Sequence, residues 1–155
     1  MRAVVDALRR VVRDLRRGAR DAERSAGISG AQLFVLQALD GAPTSSLREL
    51  AQRTLTDQSS VSVVVRRLTD AGLVARRRSA LDARAFELRL TAAGRRLLAR
   101  APEPTQRRLV GALRRMPAAD LVRLTRGLSA LTRHMGIEAT VPGLFFEDER
   151  RRARS

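Results

Sequence analysis

Apolar residues recur along the chain with a helical period for most of its length. Val4, Leu8, Val11, Val12 and Leu15 form one stripe in residues 2–24, with Arg9, Arg10, Arg13, Arg16, Arg17 and Arg20 mostly off it. Gly27 ends that helix. Ser29 with Gln32 three residues on is a capping-box pattern, and Asp40-Gly41-Ala42-Pro43 closes the second helix. Ser46 and Glu49 repeat the pattern for a short helix reaching about residue 53. After a break at 54–56, a fourth helix is expected over 57–71, stopped by Gly72.

The period then changes. Residues 73–78 and 84–90 read as two short strands, the second alternating Phe86, Leu88 and Leu90 against Glu87 and Arg89, with 79–83 as the connecting loop. Thr91 caps a helix to about residue 100, and Ala101-Pro102-Glu103-Pro104 breaks it. Helix resumes over 105–116. Pro117 opens the last helix, whose stripe of Leu121, Leu124, Leu128, Leu131 and Met135 alternates spacings of three and four before Gly136. The expected fold is mainly α with a small β-hairpin. No internal repeat or low-complexity segment interrupts it.

With 155 residues the chain can bury a single core without staples. It has no Cys and one His, His134, which excludes disulfide frameworks, thiolate sites and a multi-histidine metal centre. No metal or other cofactor is expected. Neither a secretory leader nor a bilayer-spanning run is present, so the expected compartment is the cytoplasm and no membrane partner is expected. Enzyme motifs are missing: no phosphate-binding glycine loop, no HExxH, no GxSxG, and no nucleophile with a plausible His base. His134, near the end of the last helix, suits capping or packing better than catalysis.

The net charge is +15, and all 31 basic residues are Arg. GC-rich coding accounts for Arg over Lys but not for the surplus, which implies attraction to a polyanion, nucleic acid first. Its distribution is uneven: +4 over 44–91, but +8 over 92–136. Arg107, Arg108, Arg114 and Arg115 in that later segment read as solvated surface.

Residues 46–74, a short helix, a tight break and a second helix leading into a hairpin, have the arrangement of a winged helix-turn-helix. In the second helix Val61, Val64, Val65 and Leu68 follow i, i+3, i+4, i+7 and must face the core. Gln58, Ser59, Ser62, Val63, Arg66 and Arg67 are left outward. Gln can read adenine, Ser either base type, Val a thymine methyl, and Arg guanine or phosphate. An ordinary amphipathic helix with a solvated face would look similar. The hairpin favours the reader, because Arg76, Arg77, Arg78 and Arg84 lie in and beside one short loop suited to a minor groove. Asp82 would brace Arg84 or the turn, since a carboxylate repels phosphate.

Ser59-Ser60-Val61-Ser62, Arg67-Leu68, Gly72-Leu73-Val74, Arg76, Asp82, Arg84, and Leu90-Thr91 with Gly94 resemble the MarR (multiple antibiotic resistance regulator) family. The resemblance implies a homodimeric winged helix-turn-helix regulator, a repressor released from DNA by small, often aromatic or phenolic, ligands. Its first and last helices would dimerise. On that division, residues 1–28 and 105–155 form the helical dimerisation region and 29–100 the DNA-binding lobe. Two positions depart from the family: Ala85 stands where a second Arg often follows the wing Arg, and Pro102 with Pro104 interrupts a helix that is usually continuous.

The partners expected are therefore double-stranded DNA carrying a palindromic operator, a second copy of the chain, and a small-molecule effector. Val4, Leu8 and Val11, the stripe Leu121, Leu124, Leu128 and Leu131, and Phe145 and Phe146 of the tail are the candidate dimer contacts. Arg13, Arg17, Phe34 and Gln37 are the candidates to reach an effector pocket. Two rival classes remain. A non-specific nucleoid- or RNA-binding protein would account for the Arg content without needing the outward face of the fourth helix. A membrane-surface protein using the first helix is disfavoured, because that helix lacks Trp and Phe.

Overall fold

The computed structural model describes residues 1–41, 46–78, 86–137 and 143–145. Among them are seven helices and one antiparallel strand pair: α1 (Arg2–Ala26), α2 (Gly30–Asp40), α3 (Leu47–Thr54), α4 (Gln58–Asp70), β1 (Val74–Arg78), β2 (Phe86–Leu90), α5 (Ala92–Arg100), α6 (Thr105–Arg115) and α7 (Ala118–His134).

The boundaries fall where capping chemistry puts them. Gly27 takes a left-handed conformation at φ 67 and closes α1. Ser29 and Gln32 complete the capping box of α2 in both directions, at 3.2 and 2.9 Å. The Ser46 hydroxyl accepts from the Glu49 N–H at 3.1 Å to start α3. Pro104 and Pro117 stand at the N-caps of α6 and α7, one residue before each helix proper, so Pro117 precedes the last helix rather than opening it.

α2 is the centre of the core. Ala31, Leu33, Val35 and Leu36 are fully buried, and Phe34 and Leu39 nearly so. A helix this apolar on all sides must be surrounded. α1 packs on it with Leu15, Ala19 and Ala22, while α3, α4 and the base of the hairpin close the other sides. In the hairpin the register pairs Val74 with Leu90 and Arg78 with Phe86. Val74 and Leu90 are buried at its base, so the wing grows directly out of the core.

α5 fixes that base. The Thr91 hydroxyl donates to the Gly72 carbonyl at 2.7 Å and accepts from the Gly94 N–H at 3.0 Å. Gly94 is required there, because a Cβ would lie 2.2 Å from the Leu73 carbonyl oxygen. By contrast, no residue of α7 is buried. Leu121, Leu124, Leu128 and Leu131 are all exposed, as are Val4, Leu8 and Val11 in the first half of α1.

Candidate nucleic-acid interface

α3 and α4 meet at a tight turn. The Thr56 N–H reaches the Ala51 carbonyl at 3.0 Å and the Leu55 N–H the Gln52 carbonyl at 3.3 Å, a Schellman closure of α3. The left-handed position is occupied by Leu55 at φ 52 rather than by glycine, a conformation that costs an L-residue roughly 1–2 kcal/mol. Asp57 then caps α4. Its Oδ1 accepts from the Ser60 N–H at 2.9 Å and from the Ser59 hydroxyl. Those hydrogen bonds, Ser59 first and Ser60 next, hold the Asp57 carboxyl well below the usual carboxylate range.

The two faces of α4 separate as its spacing requires. Val61, Val64 and Leu68 are fully buried and Val65 nearly so. Gln58, Ser59, Val63, Arg66 and Arg67 are exposed, and Ser62 is half-buried. Arg66 has no partner among the described residues, which leaves its guanidinium open to an external acceptor.

On β1, which packs against α4, Arg76, Arg77 and Arg78 are exposed. Alternation along the strand puts Arg76 and Arg78 on the face of Val74, and Arg77 on the face of Ala75. Asp82 and Arg84, with the Ala85 departure, lie outside the described residues. The carboxylate that the structure does place in the wing is Glu87. Its Oε2 accepts from Arg89 Nε at 2.9 Å and Nη2 at 2.6 Å, and it stands opposite Arg77 in the register. Sequence reasoning missed this pair, although a carboxylate and a guanidinium two residues apart on a strand share a face. It also missed Arg95, which donates from α5 to the Leu90 carbonyl at 2.9 Å and braces the wing base.

A second feature is lined in part by α2. An open groove of about 880 Å3 runs between α1, α2 and α6, with an apolar side from Val11, Leu15, Phe34 and Val110. Arg107 Nη1 donates across it to Gln37 Oε1 at 3.3 Å, and Arg108 pairs with Asp14 at 3.4 Å. Phe34 and Gln37 line the groove, whereas Arg13 and Arg17 do not; both are exposed on α1, Arg17 facing Asp21 at 3.9 Å. Arg107, Arg108, Arg114 and Arg115 are exposed, but all four also line this groove, so they are more than scattered surface charge. The spacing of 107, 108, 114 and 115 is the signal for this in the sequence, since residues seven apart return to one helix face.

The tail also behaves unlike an open end. Leu144 is buried against the core of its own chain, and Phe145 is half exposed with its carbonyl accepting from Gln106; Phe146 lies outside the described residues. His134 Nδ1 lies 2.7 Å from the Ala130 carbonyl, a local contact at the end of α7. Among the described residues there is no cluster that could hold a metal ion, and no helix is long and apolar enough to cross a membrane.

A helix-turn-helix whose second helix lies beside an arginine-bearing hairpin defines a winged-helix DNA-binding protein. Comparison with known proteins places it further. The MarR family model matches residues 26–85. The Mycobacterium tuberculosis MarR family protein Rv2887, solved with p-aminosalicylic acid, is 30% identical, with 81% of this chain and 95% of that one covered and a TM-score of 0.50. A further MarR family transcription regulator superimposes with a TM-score of 0.57 at 21% identity, over 86% of this chain and 89% of that one. Bordetella bronchiseptica BpsR, whose DNA binding is regulated by 6-hydroxynicotinic acid, gives 0.52 at 24% identity, over 84% and 91%. No curated protein matches. The chain belongs to the MarR family of winged helix-turn-helix transcriptional regulators; it is a DNA-binding protein and not an enzyme.

Proposed function

We propose that this regulator is a homodimeric repressor that reads a palindromic operator and leaves it when a small ligand occupies the groove between α1, α2 and α6. The observation that carries the reading is the outward face of α4, with Arg66 uncommitted and exposed arginines on β1, which packs against α4. On this reading Gln58, Ser59, Ser62, Val63 and Arg66 approach base edges, and Arg67 a base or phosphate. Arg76, Arg77, Arg78 and Arg84 reach the adjacent minor groove or its phosphates, with Asp82 bracing the loop.

Dimerisation assigns a role to surface that otherwise has none. α1 and α7 expose apolar stripes at helical spacing, and Phe145 lies half exposed beside the body. A two-fold contact between those stripes would hide them and set two reading helices roughly 34 Å apart. Residues 1–28 and 105–155 then form the dimerisation region and 29–100 the reading lobe. α1 serves both, since Leu15, Ala19 and Ala22 belong to the core.

The effector reading rests on the groove's chemistry. Phe34 and the aliphatic residues supply an apolar side, and Arg53, Arg107, Arg108, Arg114 and Arg115 outnumber Asp14 and Glu103 among its lining residues. That composition suits an aromatic or phenolic anion. Two of the similar proteins are known with aromatic acids, p-aminosalicylic and 6-hydroxynicotinic acid.

Gel-shift titration of duplexes selected from a random pool, with competitor DNA and at two salt concentrations, tests the reading. A discrete complex on one inverted repeat, weakened by salicylate-like anions, is expected. Arg66→Ala should cost about 1–3 kcal/mol on the selected repeat and less on random duplex, if Arg66 contacts a base bidentately. Equal affinity for every duplex would instead mark a non-specific nucleoid- or RNA-binding protein.

A further inference from the structure

Ser59 and Asp57 face each other at the start of α4, with the Ser59 hydroxyl oxygen on Asp57 Oδ1. The same carboxylate oxygen takes the Ser60 N–H at 2.9 Å, the cap of the helix, so it is held in place by the backbone. Ser59 is exposed on the face that points away from the core.

Only one proton is available between the two side chains. A carboxylate has none to give, and the hydrogen bonds from Ser59 and Ser60 keep Asp57 ionised far below neutral pH. The Ser59 hydroxyl is therefore the donor, and its hydrogen points back at Asp57. What remains to the outside is a pair of lone pairs. A free serine can read a base as donor or as acceptor; this one can only accept.

We infer that Ser59 is a specificity-determining residue that selects a base whose amino group lies on its major-groove edge, adenine or cytosine, at one position of each half-site. This rests on α4 being the reading helix, as proposed above. In the major groove, adenine N6 and cytosine N4 offer donors, whereas guanine O6 and N7 and thymine O4 offer acceptors. Ser59 meets the first two with a lone pair and opposes the others oxygen to acceptor. Turning the hydroxyl toward guanine or thymine would break a bond to a charged group, roughly twice as strong as the neutral bond gained. Ser62, one turn further along and without a hydrogen bond among the described residues, carries no such restriction.

The test uses the full-length protein and a duplex selected by it from a random pool. Every position of one half-site is changed to each of the four bases, and Kd is measured for the wild type, Ser59→Ala and Asp57→Ser. The wild type should prefer adenine or cytosine over guanine or thymine at one position by roughly 3- to 10-fold. Ser59→Ala should erase that preference and leave the others. Asp57→Ser keeps a hydroxyl able to cap the helix but frees the Ser59 proton, so the same position should flatten. The inference is overturned if guanine or thymine is preferred at the position sensitive to Ser59→Ala, if no position is sensitive, or if Asp57→Ser leaves the preference intact. Failure to select any preferred duplex would overturn the reading of α4 itself, and this inference with it.

Discussion

Gln106 Nε2 donates to the carbonyl oxygen of Phe145 at 2.8 Å, joining the first turn of α6 to a point 39 residues later in the chain. The contact brings the tail back to the body after α7 has left it, where Leu144 is buried as part of the core. Gln106 is itself 5% exposed, and its Oε1 has no partner among the described residues. The amide thus gains one hydrogen bond and leaves an acceptor unsatisfied, two effects of similar size and opposite sign.

Burial of Leu144 should therefore hold the tail more firmly than the Gln106 amide does. Leu144→Ala is expected to lower stability by about 2 kcal/mol, near the small end of the range for a buried leucine. Gln106→Leu removes both the bond and the unsatisfied oxygen, and should stay within about 1 kcal/mol of the wild type. Urea denaturation of the two variants checks this. A larger loss from Gln106→Leu than from Leu144→Ala would show that the hydrogen bond, not the leucine, anchors the tail.

At Gly18, α1 and the start of α6 approach closely. A Cβ there would stand 1.8 Å from Thr105 Oγ1 and 2.7 Å from Thr105 Cβ. Replacing a mid-helix glycine by alanine ordinarily stabilises by roughly 0.5–1 kcal/mol. Here the overlap reverses the sign, because Thr105 begins α6 directly after buried Pro104 and has little room to withdraw. Gly18→Ala should destabilise by about 1–3 kcal/mol, the range of other overpacked sites. A gain in thermal midpoint would mean that α6 moves away at no cost.

Helix ends and helix faces are the features most legible in the sequence. The capping residues Ser29, Ser46 and Thr91 and the glycines at 27, 72 and 136 act locally, through bonds three or four residues away, so they mark helix ends directly, whereas Asp57, read as the first residue of the fourth helix, proves to be its cap. The buried face of α4 follows from the helical period for the same reason. Contacts between distant segments are not legible in this way. The Gln37–Arg107 bond spans 70 residues and Gln106–Phe145 spans 39, and no periodicity encodes such pairings. The assignment of Arg13 and Arg17 to an effector pocket fails to match the groove for that reason: a helix face can be read from sequence, but the neighbour it meets cannot. Leu144 likewise carries no signal that sets it above the two phenylalanines beside it, and only its packing against the core distinguishes it.

Asp57 gives the molecule a pH dependence with a definite sign. Its carboxyl is held below the ordinary value in the folded chain by Ser59 and Ser60, whose bonds are lost on unfolding. The unfolded chain therefore takes up the proton first as pH falls. The charged cap contributes fully above the unfolded carboxylate pKa of about 3.9 and is lost progressively below it. Asp57→Asn can cap the helix but does not ionise. The stability gap between wild type and Asp57→Asn should be widest near neutral pH and should close toward about pH 2. A gap that stays constant over that range would show that the carboxylate charge plays no part in the cap.

Leu128 tests the proposed dimer most directly. It sits at the middle of the α7 stripe, 43% exposed, on a helix that buries no residue against its own chain. An aspartate there is cheap in an isolated subunit, since its carboxylate stays in water, and costly in an apolar two-fold contact, where two copies would face each other without a partner. Leu128→Asp should leave the circular dichroism spectrum unchanged while the mass in light scattering falls from twice 17.1 kDa to the single-chain value. Operator affinity should fall by roughly 100-fold or more, because each half-site is then bound without the effective concentration supplied by the other. The β1 arginines and α4 would be untouched, so binding to a single half-site should persist at its own weaker level. An unchanged mass would remove α7 from the interface and leave its apolar stripe to be explained by another partner.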